Sequence, residues 1–570
     1  MDSWKHFTQE QRIAYFTMEI GLKAEIPTYS GGLGILAGDT IKSAADLKIP
    51  LVAVTLLHRK GYFKQSFADD GWQQENDASW SPERYLELLP AKTLVTIEQR
   101  DVKIQAWLYD LKSPTGGRLP ILFLDTDIPG NNEDDRAITD HLYGGGLEMR
   151  LKQEIVLGIG GARILKALSF SIKKYHMNEG HASLLTMELL NGNRIPVEST
   201  WDEHSSWNTQ KVMEQCVFTT HTPVAAGHDR FPYEMAERIL PPEVPLELLK
   251  EHVCKDELNM TLLGLKFSNY INGVAKRHGQ VSQNLFPGFE IHAITNGIHP
   301  FTWCSPFYVT LYDKYLPGWA NEPELLVRVD TIPDEEIWDA HCGAKALFFQ
   351  DIKEKTGKVL NPDLLTIGFA RRAATYKRGD LIFSNLDRLL EIGTGKLQLV
   401  FGGKAHPKDE NGKQVIQRII QQAEKLRGKI DLIYLENYNM EVAFSFIPGV
   451  DIWLNNPLRP LEASGTSGMK AALNAVPNFS VLDGWWIEGH IEGVTGWAIG
   501  PPPAAIGKEV GGDSEDLEDM YRKLDEVIIP LYYNDRNGWI RVMKNAIGKN
   551  AYYFNTHVMM RRYVTDAYIH

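Results

Sequence analysis

The segment carrying the most chemistry in this chain is Leu461-Glu462-Ala463-Ser464-Gly465-Thr466-Ser467-Gly468-Met469-Lys470-Ala471-Ala472-Leu473-Asn474. Glu462 offers a carboxylate that can accept hydrogen bonds from sugar hydroxyls. Lys470 is a single amine on an otherwise apolar run, and burial would lower its pKa and suit it to Schiff-base chemistry. Between them, Gly and Ser let backbone N–H groups come close to a ligand. A helix beginning near Gly468 would present free amides to an anion. The same letters also describe an ordinary turn with a solvated Lys and Glu, and on this stretch alone the two readings stand level.

The elements around that segment decide more. An apolar run, Gly449 to Asn455, reads as the strand that feeds it. After residue 335 the chain alternates apolar runs with amphipathic ones. Strands are expected at Leu365 to Ala370, Gln398 to Phe401, Leu432 to Leu435, Val450 to Asn455 and Phe479 to Leu482. Helices are expected over Glu336 to Lys355, up to Leu390, and near 412–427 and 440–446. Repeated β–α units imply a doubly wound parallel sheet with right-handed crossovers, and ligands in such sheets sit beyond the carboxyl ends of the strands. Falling there are Arg371, Arg372, Lys377, Arg378, Lys404, Tyr438, Asn455, Glu462 and Lys470. The cations cluster in a chain whose formal net charge is −13. Strand-end loops are often wet and charged, but clustering of one sign points to an anion site. Lys404 either lines that site or caps a strand end.

The first half shows a second β–α–β unit. Arg12 to Glu19 reads as a strand, Ser30-Gly31-Gly32-Leu33-Gly34 as a glycine loop, Ile35 to Leu47 as a helix and Leu51 to Leu57 as a strand. The loop is not GxGxxG and is weak evidence alone. Residues 92–128 read as an antiparallel detour and Gly146 to Leu168 as one long helix whose glycines permit close packing. Residues 192–210 read as a polar surface loop, Val217 to Pro223 as a strand entering a loop, and Leu262 to Lys276 as a helix. Ile291 to Gly297 reads as a strand, 300–335 as a domain crossover and 536–570 as amphipathic helix. Two open α/β sheets facing across a cleft give the expected fold class: α/β, two facing Rossmann-like domains of the GT-B glycosyltransferase type.

Composition narrows the class. A chain of 570 residues exceeds one core, and 43% hydrophobic with 23% charged content is that of a soluble globular protein. The acidic balance argues against nucleic acid as a main partner. No run reaches the length of a membrane span, and the N-terminus lacks a signal-peptide pattern. Four scattered cysteines without CxxC fit a reducing cytoplasm and no structural zinc. His176-x-x-Glu179-x-His181 has the spacing of neither HExxH nor HxxEH, so no metal is expected. His181 and His221 also suit buried structural roles.

The stretch Glu462 to Lys470 resembles the pyridoxal-phosphate segment of the α-glucan (glycogen, starch, maltodextrin) phosphorylases. Other stretches resemble that family in the same order: Ser30 to Asp39, Met149 to Glu154, His176 to His181, Thr219 to Phe231, Thr295 to His299, Phe369 to Arg378 and Leu435 to Tyr438. The resemblance implies that Lys470 forms a Schiff base with pyridoxal phosphate, which acts through its phosphate as a proton shuttle. It implies that Thr466 and the backbone around Ser467 bind that phosphate, with Tyr438 and Arg371 nearby. Arg372, Lys377 and the glycine loop at Gly32 and Leu33 would hold the substrate phosphate. The backbone carbonyl of His181 would steady an oxocarbenium-like centre, and Asn296, Glu462, Ser464 and Gly465 would grip the terminal glucose.

The implied activity is phosphorolysis of the terminal α-1,4-linked glucose of a glucan by inorganic phosphate, giving α-glucose 1-phosphate with retention, in the cytoplasm. Homodimers are common in that family, although no residue here marks an interface. The expected division is a substrate domain over 1–315, a cofactor domain over 316–545 and a helical segment over 546–570 that packs back on the first. Ser467-Gly468, Asn439 and Ala373-Ala374-Thr375 depart from better-known members and resemble a compact prokaryotic branch. Residues 1–11 carry nothing like a phosphorylated arm, so control by phosphorylation or AMP is not expected. The rival reading is a nucleotide-sugar-dependent glycogen or starch synthase. Such synthases carry a second Glu eight positions after the first, and here that position is Lys470.

Overall fold

A computed structural model describes residues 3–195, 206–508 and 510–569. The polar loop expected over 192–210 therefore lies largely outside the described residues. The strands of the first half are β1 (Arg12–Phe16), β2 (Leu51–Leu56), β3 (Glu87–Ile97), β4 (Arg100–Lys112), β5 (Arg118–Asp125), β6 (Ile172–Asn178), β7 (Cys216–Thr219), β8 (Tyr270–Gly273) and β9 (His292–Ala293). They form one sheet in the order β9-β8-β7-β6-β1-β2-β5-β4-β3. The pairs β3·β4 and β4·β5 are antiparallel, and β5 joins β2 in parallel. Every residue of β1 and β2 is buried, as strands covered on both faces must be.

The second half forms a six-stranded, all-parallel sheet: β10 (Leu365–Ala370), β11 (Leu397–Gly402), β12 (Asp431–Leu435), β13 (Ile452–Asn455), β14 (Asn478–Val481) and β15 (Gly496–Ile499). Its order is β12-β11-β10-β13-β14-β15. Counted within that half this is 3-2-1-4-5-6, the doubly wound order whose ligand crevice opens where the winding reverses. The reversal lies between β10 and β13, so the loops after these two strands share the crevice. In the first sheet the reversal lies between β1 and β6.

Helix α1 (Gly32–Asp46) starts within the glycine loop, earlier than expected. It packs hard against the chain before it: a Cβ on Gly38 would lie 1.9 Å from the Gly21 carbonyl oxygen, so only glycine fits. The helix expected over Gly146 to Leu168 is present as Leu147–Ile155, a π-helical turn at Val156–Gly160, and Gly161–Ala167. Its glycines do admit close neighbours, since a Cβ on Gly161 would sit 2.7 Å from the Phe16 ring.

The helix expected over Leu262 to Lys276 is corrected. Asn259 caps a helix at Met260–Lys266, and Tyr270–Gly273 is then pulled into the sheet between β7 and β9. Its apolar spacing suits either element, and the open slot in the sheet decides. The expected strand at 291–297 shrinks to β9, while β6, β15 and a hairpin of Lys64–Phe67 with Gln73–Asn76 were not expected.

That hairpin reaches the second half. Gln65 Nε2 donates to the Gly403 carbonyl at 2.9 Å, and the Asn437 amide donates to Gln65 Oε1 at 2.9 Å. Gln73 Nε2 donates to the Ala405 carbonyl at 2.9 Å. From the other end of the chain, α3 (Thr556–Tyr563) lies against α1, with Ser43 and Thr556 hydroxyls 2.6 Å apart. Asn272 Nδ2 donates to the Tyr563 hydroxyl at 3.0 Å. Among the described residues no helix is long and apolar enough to cross a membrane.

Candidate active site

The loop after β10 delivers Arg371, Arg372 and Lys377. The loop after β13 delivers Glu462 and leads into α2 (Ser467–Leu473), which carries Lys470. Glu462 is a buried hub. Its Oε2 accepts from Lys377 Nζ at 2.6 Å and from Arg371 Nη2. Burial disfavours its charge, but Arg371 and Lys377 prevail and hold its carboxyl at about 2. Beneath it, Asp483 fixes the loop by accepting from the Glu462 amide at 2.8 Å, and burial pushes Asp483 up to about 7. Arg372 stays open to the cleft, with Tyr376 beside it and Tyr62 and Tyr143 of the first half within electrostatic range.

Lys470 is 7% exposed, which removes the reading of a solvated turn. Burial pushes its amine down to about 8, with Asp39 opposing and Lys42 assisting. Its Nζ stands 3.6 Å over the Trp303 ring. The structure thus sorts the predicted cations into two groups: Arg371 and Lys377 around Glu462, and Lys470 with Lys42 near Asp39 and Trp303. Arg378 leaves the anion site. It donates to the carbonyls of Asn456 and Pro457 and pairs with Asp516 at 2.6 Å, bracing the second half internally. Lys404 donates to the Phe63 carbonyl at 2.9 Å and so ties the two halves together.

Thr466 precedes the first turn of α2, and Ser467 Oγ accepts from Trp453 Nε1 at 3.0 Å. Tyr438 packs its ring against Phe446. Gly465 takes the left-handed conformation, φ 86°, that lets the loop turn beside Glu462. Among the described residues, Arg371 Nη1, Asn296 Oδ1, Asn455 Oδ1 and Ser464 Oγ are buried without a hydrogen-bond partner. Buried polar atoms are rarely left so, and these fit a polar ligand. The donors and acceptors present, with one buried amine of lowered pKa, fit pyridoxal phosphate and a second anion.

The first half contributes pinned backbone. Gly31 and Gly32 face open space: a Cβ on either would meet no atom within 4 Å. Glu19 fixes the loop, its carboxylate accepting from the Ser30 amide at 2.6 Å and from the Tyr143 hydroxyl at 2.8 Å. Glu179 holds φ 73°, a conformation costly for a side chain, and accepts from the His221 amide at 2.7 Å and the Thr222 hydroxyl at 2.9 Å. His181 Nε2 lies 3.4 Å from Asp229, and burial pushes its imidazole down to about 4, so it is neutral at neutral pH. Sequence reasoning assigned no role to Glu19, Asp39, Glu179, Trp303 or Asp483. Asp39 and Glu179 stand inside Ser30 to Asp39 and His176 to His181, and the family resemblance of these stretches was the available signal.

Two sheets, each with a winding reversal, whose reversal-point loops approach one another have the arrangement of the GT-B glycosyltransferase fold. A family model described as "Phosphorylase: Carbohydrate phosphorylase" matches residues 244–493. The chain is 39% identical to maltodextrin phosphorylase of Thermococcus litoralis, over 98% of itself and 70% of that protein. It is 36% identical to glycogen phosphorylase of Mycobacterium tuberculosis, over 98% of itself and 70% of that protein. It is 35% identical to glycogen phosphorylase of Aquifex aeolicus, over 98% of itself and 86% of that protein. The chain belongs to the carbohydrate phosphorylase family.

Proposed function

We propose that this protein cleaves the terminal α-1,4-linked glucose of a glucan with inorganic phosphate, giving α-glucose 1-phosphate with retention, and that Lys470 carries pyridoxal phosphate. The carrying observation is a buried lysine of lowered pKa on the same loop–helix segment as a buried carboxylate already paired to Arg371 and Lys377. When bound, pyridoxal phosphate supplies a phosphate group that gives and takes a proton. Thr466 and the backbone at Ser467 hold that phosphate, with Tyr438 and Arg371 beside it. Arg372, Lys377 and the open amides at Gly32 and Leu33 hold the substrate phosphate. One carboxylate against three cations leaves the pocket net positive, which favours phosphate. As the cofactor phosphate draws on Arg371 and the substrate phosphate on Lys377, Glu462 is released to accept from glucose hydroxyls together with Asn296, Ser464 and Gly465. The His181 carbonyl faces the developing positive charge on the sugar.

In this reading the domains divide near residue 315, and 546–570 returns to the first domain; the contacts of Thr556 and Tyr563 support it for the end of that segment, while Ile547, Ala551 and Phe554 pack in the core of the second half. A cytoplasmic setting fits the free cysteines Cys216, Cys254, Cys304 and Cys342. The test is incubation of purified protein with phosphate and a maltodextrin series, with and without pyridoxal phosphate. Glucose 1-phosphate is expected from the wild type and none from Lys470→Ala. Undiminished product from that variant, or glucan extension only from a nucleotide sugar, overturns the proposal.

A further inference from the structure

Lys470 sits in a small assembly built by three distant parts of the chain. Trp303 Nε1 donates to both oxygens of Asp39, at 3.0 and 2.8 Å. Asp39 is 1% exposed and Trp303 4%, so this is a buried, charge-assisted bond that fixes the plane of the indole. Asn474 Nδ2 donates to the Trp303 carbonyl and to the Lys470 carbonyl, both at 2.8 Å, and Asn474 Oδ1 accepts from the Ser305 amide at 2.7 Å. Trp303 and Lys470 are therefore held to one another through the backbone. The indole also stacks with Phe444, 5.3 Å between ring centres. A second amine, Lys42, is anchored one helical turn from Asp39, donating to Thr302 Oγ1 at 3.1 Å.

A long, flexible lysine loses rotamer entropy when it must present its amine in one place. A flat aromatic face 3.6 Å from Nζ limits where that head group can sit and adds no hydrogen-bond acceptor for it. We propose that Asp39, acting through the indole of Trp303, is a positioning residue that sets the Lys470 amine for covalent attachment of pyridoxal phosphate. The inference rests on the reading that Lys470 carries that cofactor. In the attachment the amine nitrogen bonds the aldehyde carbon, and the aldehyde oxygen leaves as water with the two hydrogens of the neutral amine. The groups bearing on that amine are Asp39 and Lys42, of opposite sign, on one face of α1. Asp39 thus also links the cofactor lysine to the helix that begins in the glycine loop.

The experiment strips the full-length protein of cofactor and adds pyridoxal phosphate at neutral pH. Attachment is followed by absorbance near the visible edge and by borohydride trapping, with the modified peptide identified by mass. Asp39→Ala and Trp303→Phe are each expected to slow attachment at least about tenfold, because a misplaced group loses its effective concentration. The double variant should be no slower than either single one. Asp39→Asn keeps an oxygen to accept the indole N–H and should restore most of the rate. Trapping in the wild type anywhere but Lys470 defeats the cofactor reading itself. Trapping at Lys470 with wild-type rates in Trp303→Phe, or additive losses in the double variant, overturns only the positioning role. So does an Asp39→Asn variant as slow as Asp39→Ala, which would mean that charge and not the indole bond acts.

Discussion

The two winding reversals of this molecule do different work with similar topology. The reversal of the second sheet supplies charge: Arg371, Lys377 and Glu462 form a buried ion cluster, and Lys470 stands close behind it in sequence. The reversal of the first sheet supplies shape. Its two acids, Glu19 and Glu179, spend their oxygens on backbone amides of the 30–31 and 221 segments and so point loops rather than neutralise cations. Burial raises the pKa of both, whereas Glu462 is driven the other way by its cations. In the proposed reaction a mobile polyanion would meet fixed positive charge on one wall and preset amides on the other. On the charged wall the opposite charges compensate one another in part.

The comparison breaks most visibly on the charged side. Lys377→Ala removes one of the two cations on Glu462 and, in the proposed reaction, a contact to the substrate phosphate. Losses of about a hundred- to a thousandfold in kcat are expected, the scale found for removing one preorganised electrostatic contact. The check is glucose 1-phosphate production under saturating phosphate. A loss confined to KM would mean that Lys377 binds phosphate without favouring the transition state.

Glu462→Gln tests the charge cluster without substrate. In the folded protein the Glu462 carboxyl is held at about 2 against an ordinary 4.5. A depressed folded pKa means that the ionised form favours folding. Its stabilisation is complete above about 4.5 and fades as pH falls towards about 2, an effect on the order of 3 kcal/mol. Denaturant titrations at stepped pH should show the wild type losing stability through that window more steeply than Glu462→Gln. Parallel curves would remove Glu462 from the stability of the cluster.

The charged side was legible because its parts are close in sequence. Strand, loop and helix repeat with little insertion after residue 365, so the carboxyl ends of β10, β11, β12 and β13 could be read directly, and Arg371, Lys377, Glu462 and Lys470 with them. Arg378 was misplaced for the same reason: one residue past Lys377, it turns through φ 50° and faces Asp516 instead of the cleft. The shaped side was harder. Asp39 meets Trp303 across 264 positions, and Glu179 meets His221 across 42. Such contacts leave no periodicity in either partner. The Lys64–Asn76 hairpin is short, polar and half exposed, and so lacks the apolar run by which strands were found.

That hairpin gives the third test. Gln65 is 4% exposed and satisfies Gly403 and Asn437 of the second half as well as Gln73 of its own hairpin. Gln65→Ala leaves the Asn437 amide unpaired, while the Gly403 carbonyl keeps the Tyr434 hydroxyl at 3.0 Å, so a cost of roughly 1–3 kcal/mol is expected. Because the hairpin joins the walls without touching the ion cluster, thermal unfolding should shift while the acid window of Glu462 stays in place. A displaced acid window would show that the walls are coupled through the hairpin.

The finest test separates shape from charge at one atom. Gly32 opens α1, and a Cβ there would meet nothing within 4 Å, so Gly32→Ala creates no clash. Alanine loses less backbone entropy and is the better helix former, so stability should hold or rise by about 0.5–1 kcal/mol. The added methyl would nevertheless project into the space in which the amides of residues 32 and 33 are proposed to meet the substrate phosphate. A variant as stable as the wild type, with kcat/KM for phosphate reduced about tenfold, corresponds to roughly 1.4 kcal/mol lost at the transition state. It would place the glycine loop in the anion site by shape alone. Unchanged kinetics in a fully folded Gly32→Ala protein would instead leave phosphate binding to the second half, and the first half would keep only the sugar.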